Sequence, residues 1–160
     1  VQGVSRGERM DYTIQKATEL GVARIVPVLA ARSVVKLDAE QGQRRREHWA
    51  AVAAAACEQC GRATVPEVEA PRPYPEYLAA RRGPPPADGV RLVLAPAGDR
   101  AVADLPSPLA RAELLIGPEG GLTDEEESLA LGRGWLGLRL GPRVLRTETA
   151  AAAAIAVLQA

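Results

Sequence analysis

The chain has 160 residues, with 20 Lys and Arg against 20 Asp and Glu, so its formal net charge is zero. That length carries one ordinary domain with a sizeable core and hardly two. Apolar residues at 47% and charged residues at 25% exclude wholesale disorder, and no apolar run nears the roughly 18 residues of a membrane span.

Residues 1–8 hold no apolar signal core. Met10, Ile14, Ala17 and Leu20 carry the spacing of an amphipathic helix stopped by Gly21. Arg24 to Leu29 reads as a short buried strand, whose Pro27 points to an edge or a strand end. Gln43 to Cys60 is polar and then Ala-rich, a second helix closed by Gly61. Pro66 to Pro86 carries seven of the thirteen prolines and predicts an irregular, poorly ordered connection around a short helix at 75–81. Val90 to Leu94 and Glu113 to Ile116 read as strands. Thr123 to Glu126 reads as a capping box with Thr123 as N-cap. A weak strand at 137–140 leads to a last helix, capped by Thr147, that has almost no polar face and must be covered by the core or a partner. Strands alternating with helices predict an α/β domain with a mostly parallel sheet and helices on both faces.

Chemistry concentrates at two junctions. Leu114 to Gly121 is a strand running into a glycine turn and then a capped helix. It suits either a tight βα turn or a backbone wall that approaches a ligand with no Cβ in the way. Leu140 to Thr149 repeats the arrangement, with Arg143 and Arg146 beside a helix N-terminus that suits an anionic or electron-rich partner. Neither stretch is a Walker loop or a dinucleotide fingerprint. Cys57 and Cys60 have redox spacing but lie at the tail of a helix, where no dipole lowers a thiol pKa; they read as buried structural residues. One histidine, His48, leaves a Cys/His zinc site short of ligands, so no metal is expected. Two cysteines build no disulfide framework, which predicts a reduced, cytoplasmic protein. Arg44 to Arg46 reads as a solvated helix face. With balanced charge, nucleic-acid binding would need a local patch. With no Phe and only five Trp and Tyr, a platform stacking several bases is not expected.

Three blocks together resemble the bacterial 16S ribosomal RNA (uracil-N3) methyltransferase family, a branch of the SPOUT methyltransferases. They are Arg9 to Asp11 with Gln15 to Gly21; Ile116 to Gly121; and Leu140 to Ala150. Arg32-Ser33 and Glu58 to Arg62 also match. The resemblance runs from about Gly7 to the last residue and implies a SPOUT fold with a C-terminal deep trefoil knot, a homodimer, and S-adenosylmethionine as cofactor. It implies Leu94, Ala95, Ile116, Gly117, Gly120, Gly121, Leu140, Gly141, Leu145 and Thr147 as cofactor residues. It further implies Lys16, Glu19, Arg32, Gln59 and Arg62 as holders of the target RNA. The expected reaction is methylation of N3 of a uridine in 16S ribosomal RNA of the small subunit, with no DNA or membrane partner. Arg146 would stabilise the uracil oxyanion, and Glu119 would orient the base or accept its proton. Residues 1–160 correspond to the methyltransferase domain alone; the family's N-terminal β-barrel is expected to be missing, and the last helix to be cut short. Such a piece should bind cofactor yet methylate RNA poorly. Competing readings are another RNA target such as tRNA, or a non-catalytic RNA-binding dimerisation module.

Overall fold

Met10, Ile14 and Ala17 form one buried stripe on α1 (Glu8–Glu19), as their spacing requires. The computed structural model describes residues 1–81, 83–85 and 87–159. In chain order the remaining elements are β1 (Gln2–Gly3), β2 (Arg24–Ile25), β3 (Pro27–Leu29), α2 (Ala39–Cys60), β4 (Glu67–Val68), β5 (Arg72–Pro73), α3 (Tyr74–Ala80) and β6 (Gly89–Leu94). A 3-10 turn (Val102–Asp104), β7 (Arg111–Leu115), α4 (Asp124–Leu131), β8 (Leu136–Leu138) and α5 (Thr147–Gln159) complete it.

Every strand pairing described is parallel. Two three-stranded units, β1-β3-β5 with β1 outermost and β7-β6-β8 with β7 outermost, join through the Gln2–Ile116 bridge. The Gly3 amide donates to the Ile116 carbonyl at 2.7 Å, which sets β1 beside the end of β7. Side chains alternate across this sheet. Leu115 enters a core shared with Tyr74, Tyr77 and Ala130 of α3 and α4, whereas Leu114 packs against the core of Met10, Trp49 and Ile155 from α1, α2 and α5. Helices therefore cover both faces.

Three expectations need correction. The stretch from Arg24 to Leu29 is not one strand: it breaks at Val26, β2 pairing with β4 and β3 lying between β1 and β5. Pro27 does begin a strand, yet that strand is interior; the ladder there uses the carbonyls of Val26 and Val28, which accept from Gln2 and Val4 at 2.9 Å, so the missing proline amide is not needed. Helix α2 starts at Ala39, earlier than Gln43, because Asp38 and Gln41 form a capping box. The short helix expected at 75–81 is α3, but the proline-rich segment around it is ordered where described: it also supplies β4 and β5, and Tyr74, Tyr77 and Leu78 are fully buried. Arg82 and Pro86, within that segment, lie outside the described residues. The Thr123 capping box and the left-handed Gly61 cap (φ 75°) stand as expected.

Candidate functional site

Connections leaving the carboxyl ends of β6, β7 and β8 meet around one cleft of about 640 Å³. Its walls are 94–97 after β6, 116–122 after β7 and 138–148 after β8, with Arg9 and Arg32 at its margin. Open parallel sheets collect ligands at this end of their strands. Leu94, Ile116, Leu138, Leu140 and Leu145 supply the apolar lining.

Backbone forms much of the rest. A Cβ on Gly117 would come within 2.9 Å of the Leu122 nitrogen, so only glycine fits there, and Gly121 holds φ at +72°. The Gly121 amide closes a turn onto the Pro118 carbonyl at 2.8 Å. Among the described residues, the amides of Gly117, Gly120 and Leu122 donate no hydrogen bond, which leaves them for a ligand.

A buried network ties this loop to the start of α5. The Thr147 hydroxyl donates to the Gly117 carbonyl at 2.6 Å and accepts from Gln2 Nε2 at 2.9 Å. Gln2 Nε2 also reaches the carbonyls of Gly3 (3.0 Å) and Gly117 (3.3 Å), and Gln2 and Thr147 are both buried. Thr147 is thus not the expected cap: it is the first helical residue, its hydroxyl is committed across the cleft floor, and the first turn closes from the Ala150 amide to the Arg146 carbonyl at 2.8 Å.

Glu119 turns back toward α1. Its Oε1 accepts from the Arg6 amide at 2.8 Å and lies 3.6 Å from Arg9 Nη1, while Oε2 is buried with no partner among the described residues. Burial works to raise its pKa, but hydrogen bonds from the Arg6 amide and its own, with Arg9 nearby, outweigh it and hold the carboxyl below the ordinary range. Across the cleft, 141–144 and Arg146 are exposed, and Val144 is 79% exposed. Neither Arg143 nor Arg146 has an ion pair or a side-chain hydrogen bond among the described residues.

All ten expected cofactor residues, with Glu119, Arg146 and Arg32, line this one cleft. Lys16, Glu19, Gln59 and Arg62 do not. Lys16 Nζ binds Glu19 at 2.8 and 2.9 Å, and Gln59 is exposed. Arg62 donates to the carbonyls of Thr18 at 2.6 Å and Val22 at 3.0 Å, fastening the end of α1. Arg32 Nη1 donates to the carbonyls of Gly120 at 3.1 Å and Leu122 at 3.0 Å. Cys57 is buried but Cys60 is exposed, correcting the expectation for the second cysteine, which sits on the open side of the last turn of α2. Exposed His48 pairs with Asp11 at 2.9 Å, and the arginines at 44–46 are exposed as expected. No group of three His, Cys, Asp or Glu is placed to hold a metal among the described residues, and no described helix is long and apolar enough to cross a membrane. Sequence reasoning missed Gln2, and it gave Arg6 and Arg9 no role. Gln2 sits in no local motif, and its partners lie 115 and 145 residues away.

A parallel α/β sheet with a glycine-walled cleft at its strand ends defines a domain built to hold a small nucleotide-like ligand. The family model for an RNA methyltransferase domain matches residues 1–159, and the chain belongs to that family. Ribosomal RNA small subunit methyltransferase E of Bacillus subtilis is 37% identical over 92% of this chain and 59% of its own length. Its counterpart from Buchnera aphidicola (Schizaphis graminum) is 34% identical over 99% of this chain and 63% of its own. The chain thus spans about three fifths of the length of these curated relatives. The crystal structure of the enzyme of that name from Neisseria gonorrhoeae, bound to S-adenosyl methionine, superposes with a TM-score of 0.88 at 39% identity, covering 99% of this chain and 63% of that one. A Legionella pneumophila protein solved with the cofactor SAM gives 0.88 at 42%, covering 99% and 64%. A SpoU methyltransferase from Streptomyces viridochromogenes, at 19% identity and a TM-score of 0.58 over 99% of this chain and 58% of that one, shares the fold.

Proposed function

We propose that the chain is the cofactor-binding domain of an S-adenosylmethionine-dependent RNA methyltransferase that modifies N3 of a uridine in 16S ribosomal RNA. The observation that carries this reading is the single cleft shared by the 117 and 147 loops, joined by the Thr147–Gly117 hydrogen bond of 2.6 Å. The residues present fit the cofactor. Its volume of about 640 Å³ suits a nucleoside-sized guest. Leu94, Ile116, Leu138, Leu140 and Leu145 would sandwich an adenine, and the unbonded amides of Gly117, Gly120 and Leu122 would read polar edges. Relatives at 39% and 42% identity were solved with this cofactor bound.

When bound, the cofactor supplies an electrophilic methyl group on a sulfonium. The protein's part is alignment and charge. N3 of uracil carries a proton and is a weak nucleophile, so the anion formed on its loss must be stabilised. Arg146 would do that: it is permanently charged, lines the cleft, and its side chain has no partner among the described residues. Glu119, held ionised by the Arg6 amide, is a weak base; its role is to accept a hydrogen bond from the base and orient it, the proton leaving to solvent. The target base would have to leave its stack to reach the cleft.

This reading includes a trefoil knot drawn through 94–147, a homodimer that covers the exposed Ala156 and Val157 of α5, and a cytoplasmic location. The test is transfer of labelled methyl to purified small ribosomal subunits and to tRNA, by this chain and by a longer one, with the product identified as N3-methyluridine by mass spectrometry. Labelled tRNA with unlabelled subunits overturns the substrate, and absence of cofactor binding overturns the enzyme.

A further inference from the structure

The resemblance assigns Arg32 to the target RNA, but its surroundings give it different work. We infer that Arg32 is a positioning residue for the cofactor loop, acting through the carbonyls of Gly120 and Leu122; this rests on the cofactor reading above. One nitrogen, Nη1, donates to both carbonyls, at 3.1 and 3.0 Å. In a planar trans peptide the carbonyl and the following amide point opposite ways. Holding the Gly120 carbonyl toward Arg32 therefore turns the Gly121 amide the other way, where it closes the turn on Pro118 at 2.8 Å.

The approach is close enough to dictate sequence. A Cβ on Gly120 would stand 3.0 Å from Arg32 Cβ and 3.5 Å from its Cδ. The turn that presents Arg32 is itself fixed, since the Ser33 amide donates to the Ala30 carbonyl at 3.0 Å and the Ala30 amide to Ser33 Oγ at 3.1 Å. Next to it, the Ala31 amide donates to Glu126 Oε1 at 2.7 Å, and the other oxygen of Glu126 accepts from the Thr123 amide at 3.0 Å. The 30–33 turn thus grips the glycine loop and the start of α4 as one unit. The side chains of Arg143 and Arg146, on the facing wall, make no ion pair or hydrogen bond among the described residues, which leaves them for a substrate.

The experiment compares the 160-residue chain with Arg32→Ala and Arg32→Lys. Arg32 is exposed, so its removal opens no core. S-Adenosylmethionine binding is measured by calorimetry, amide exchange of 117–122 by mass spectrometry, and binding of deproteinised 16S ribosomal RNA by filter retention. Arg32→Ala should weaken cofactor binding about tenfold and speed exchange in the loop, with RNA affinity unchanged. Arg32→Lys should restore most of both, because an ammonium can bridge two carbonyls as Nη1 does. Unaltered cofactor affinity and loop exchange in Arg32→Ala would overturn the inference, whether or not RNA binding falls. If the unsubstituted chain takes no S-adenosylmethionine, the proposed function fails, and loop exchange alone decides whether Arg32 holds the loop.

Discussion

The two walls of the cleft are built differently. The 117–122 loop is fastened at both ends: Gln2 and Thr147 hold the Gly117 carbonyl, and Arg32 holds those of Gly120 and Leu122. The facing 141–146 loop is open to solvent over most of its length, and its two arginines have no partner among the described residues. One wall is already shaped, as a receptor for a rigid ligand should be. The other keeps free charge in reserve for whatever arrives.

Disturbing each wall separately tests that contrast. The largest effect on transfer with the cofactor still bound should come from the open one: Arg146→Ala should lower methyl transfer by about 10²–10³-fold while cofactor affinity from calorimetry stays within about threefold. If cofactor binding falls in step with transfer, Arg146 belongs to the shaped wall instead. Next, Gly117→Ala drives a Cβ against the Leu122 backbone at 2.9 Å. It should abolish measurable cofactor binding and cost about 2–4 kcal/mol in denaturant unfolding. A smaller loss follows Thr147→Val, which leaves the Gly117 carbonyl and the Gln2 amide short of a partner in a buried place. Unfolding should show about 1–2 kcal/mol less stability, with weaker cofactor binding and an unaltered response to RNA.

The smallest effect concerns pH. Glu119 titrates lower in the folded chain than an ordinary carboxyl, because the backbone amides and Arg9 outweigh its burial. Its contribution to stability is therefore complete above the unfolded carboxyl's range and is lost as pH falls through the folded value. Thermal melts from about pH 7 down to about pH 3 should show a shallower acid decline in Glu119→Gln than in the native chain. Identical slopes would mean the carboxylate contributes nothing through Arg6 and Arg9.

What could be read in advance follows the range of each interaction. Local signals held: the Met10–Ile14–Ala17 stripe, Gly61 as a left-handed stop, and the Thr123–Glu126 cap all depend on residues within a few positions. The two glycine junctions were legible as a pair, and they do share one cleft. In the 66–86 stretch the short helix expected at 75–81 stands as α3, but proline dominated the reading of the rest and hid β4 and β5. Thr147 looked like a cap by position, yet its partners are Gly117, 30 residues back, and Gln2. Arg62 and Arg32 were expected, from the resemblance, to hold the target RNA, and nothing local reveals that carbonyls 40 to 90 residues distant take them instead.

The place of β1 has a kinetic consequence. This strand lies where the two three-stranded units meet, and the neighbour on its far side, Ile116, emerges from the ribosome more than a hundred residues after it. Until then β1 can zip only onto β3, and Gln2 has neither Gly117 nor Thr147 to bind. The ligand cleft should accordingly be the last part to mature, assembled by slow, long-range pairing after synthesis has passed α5.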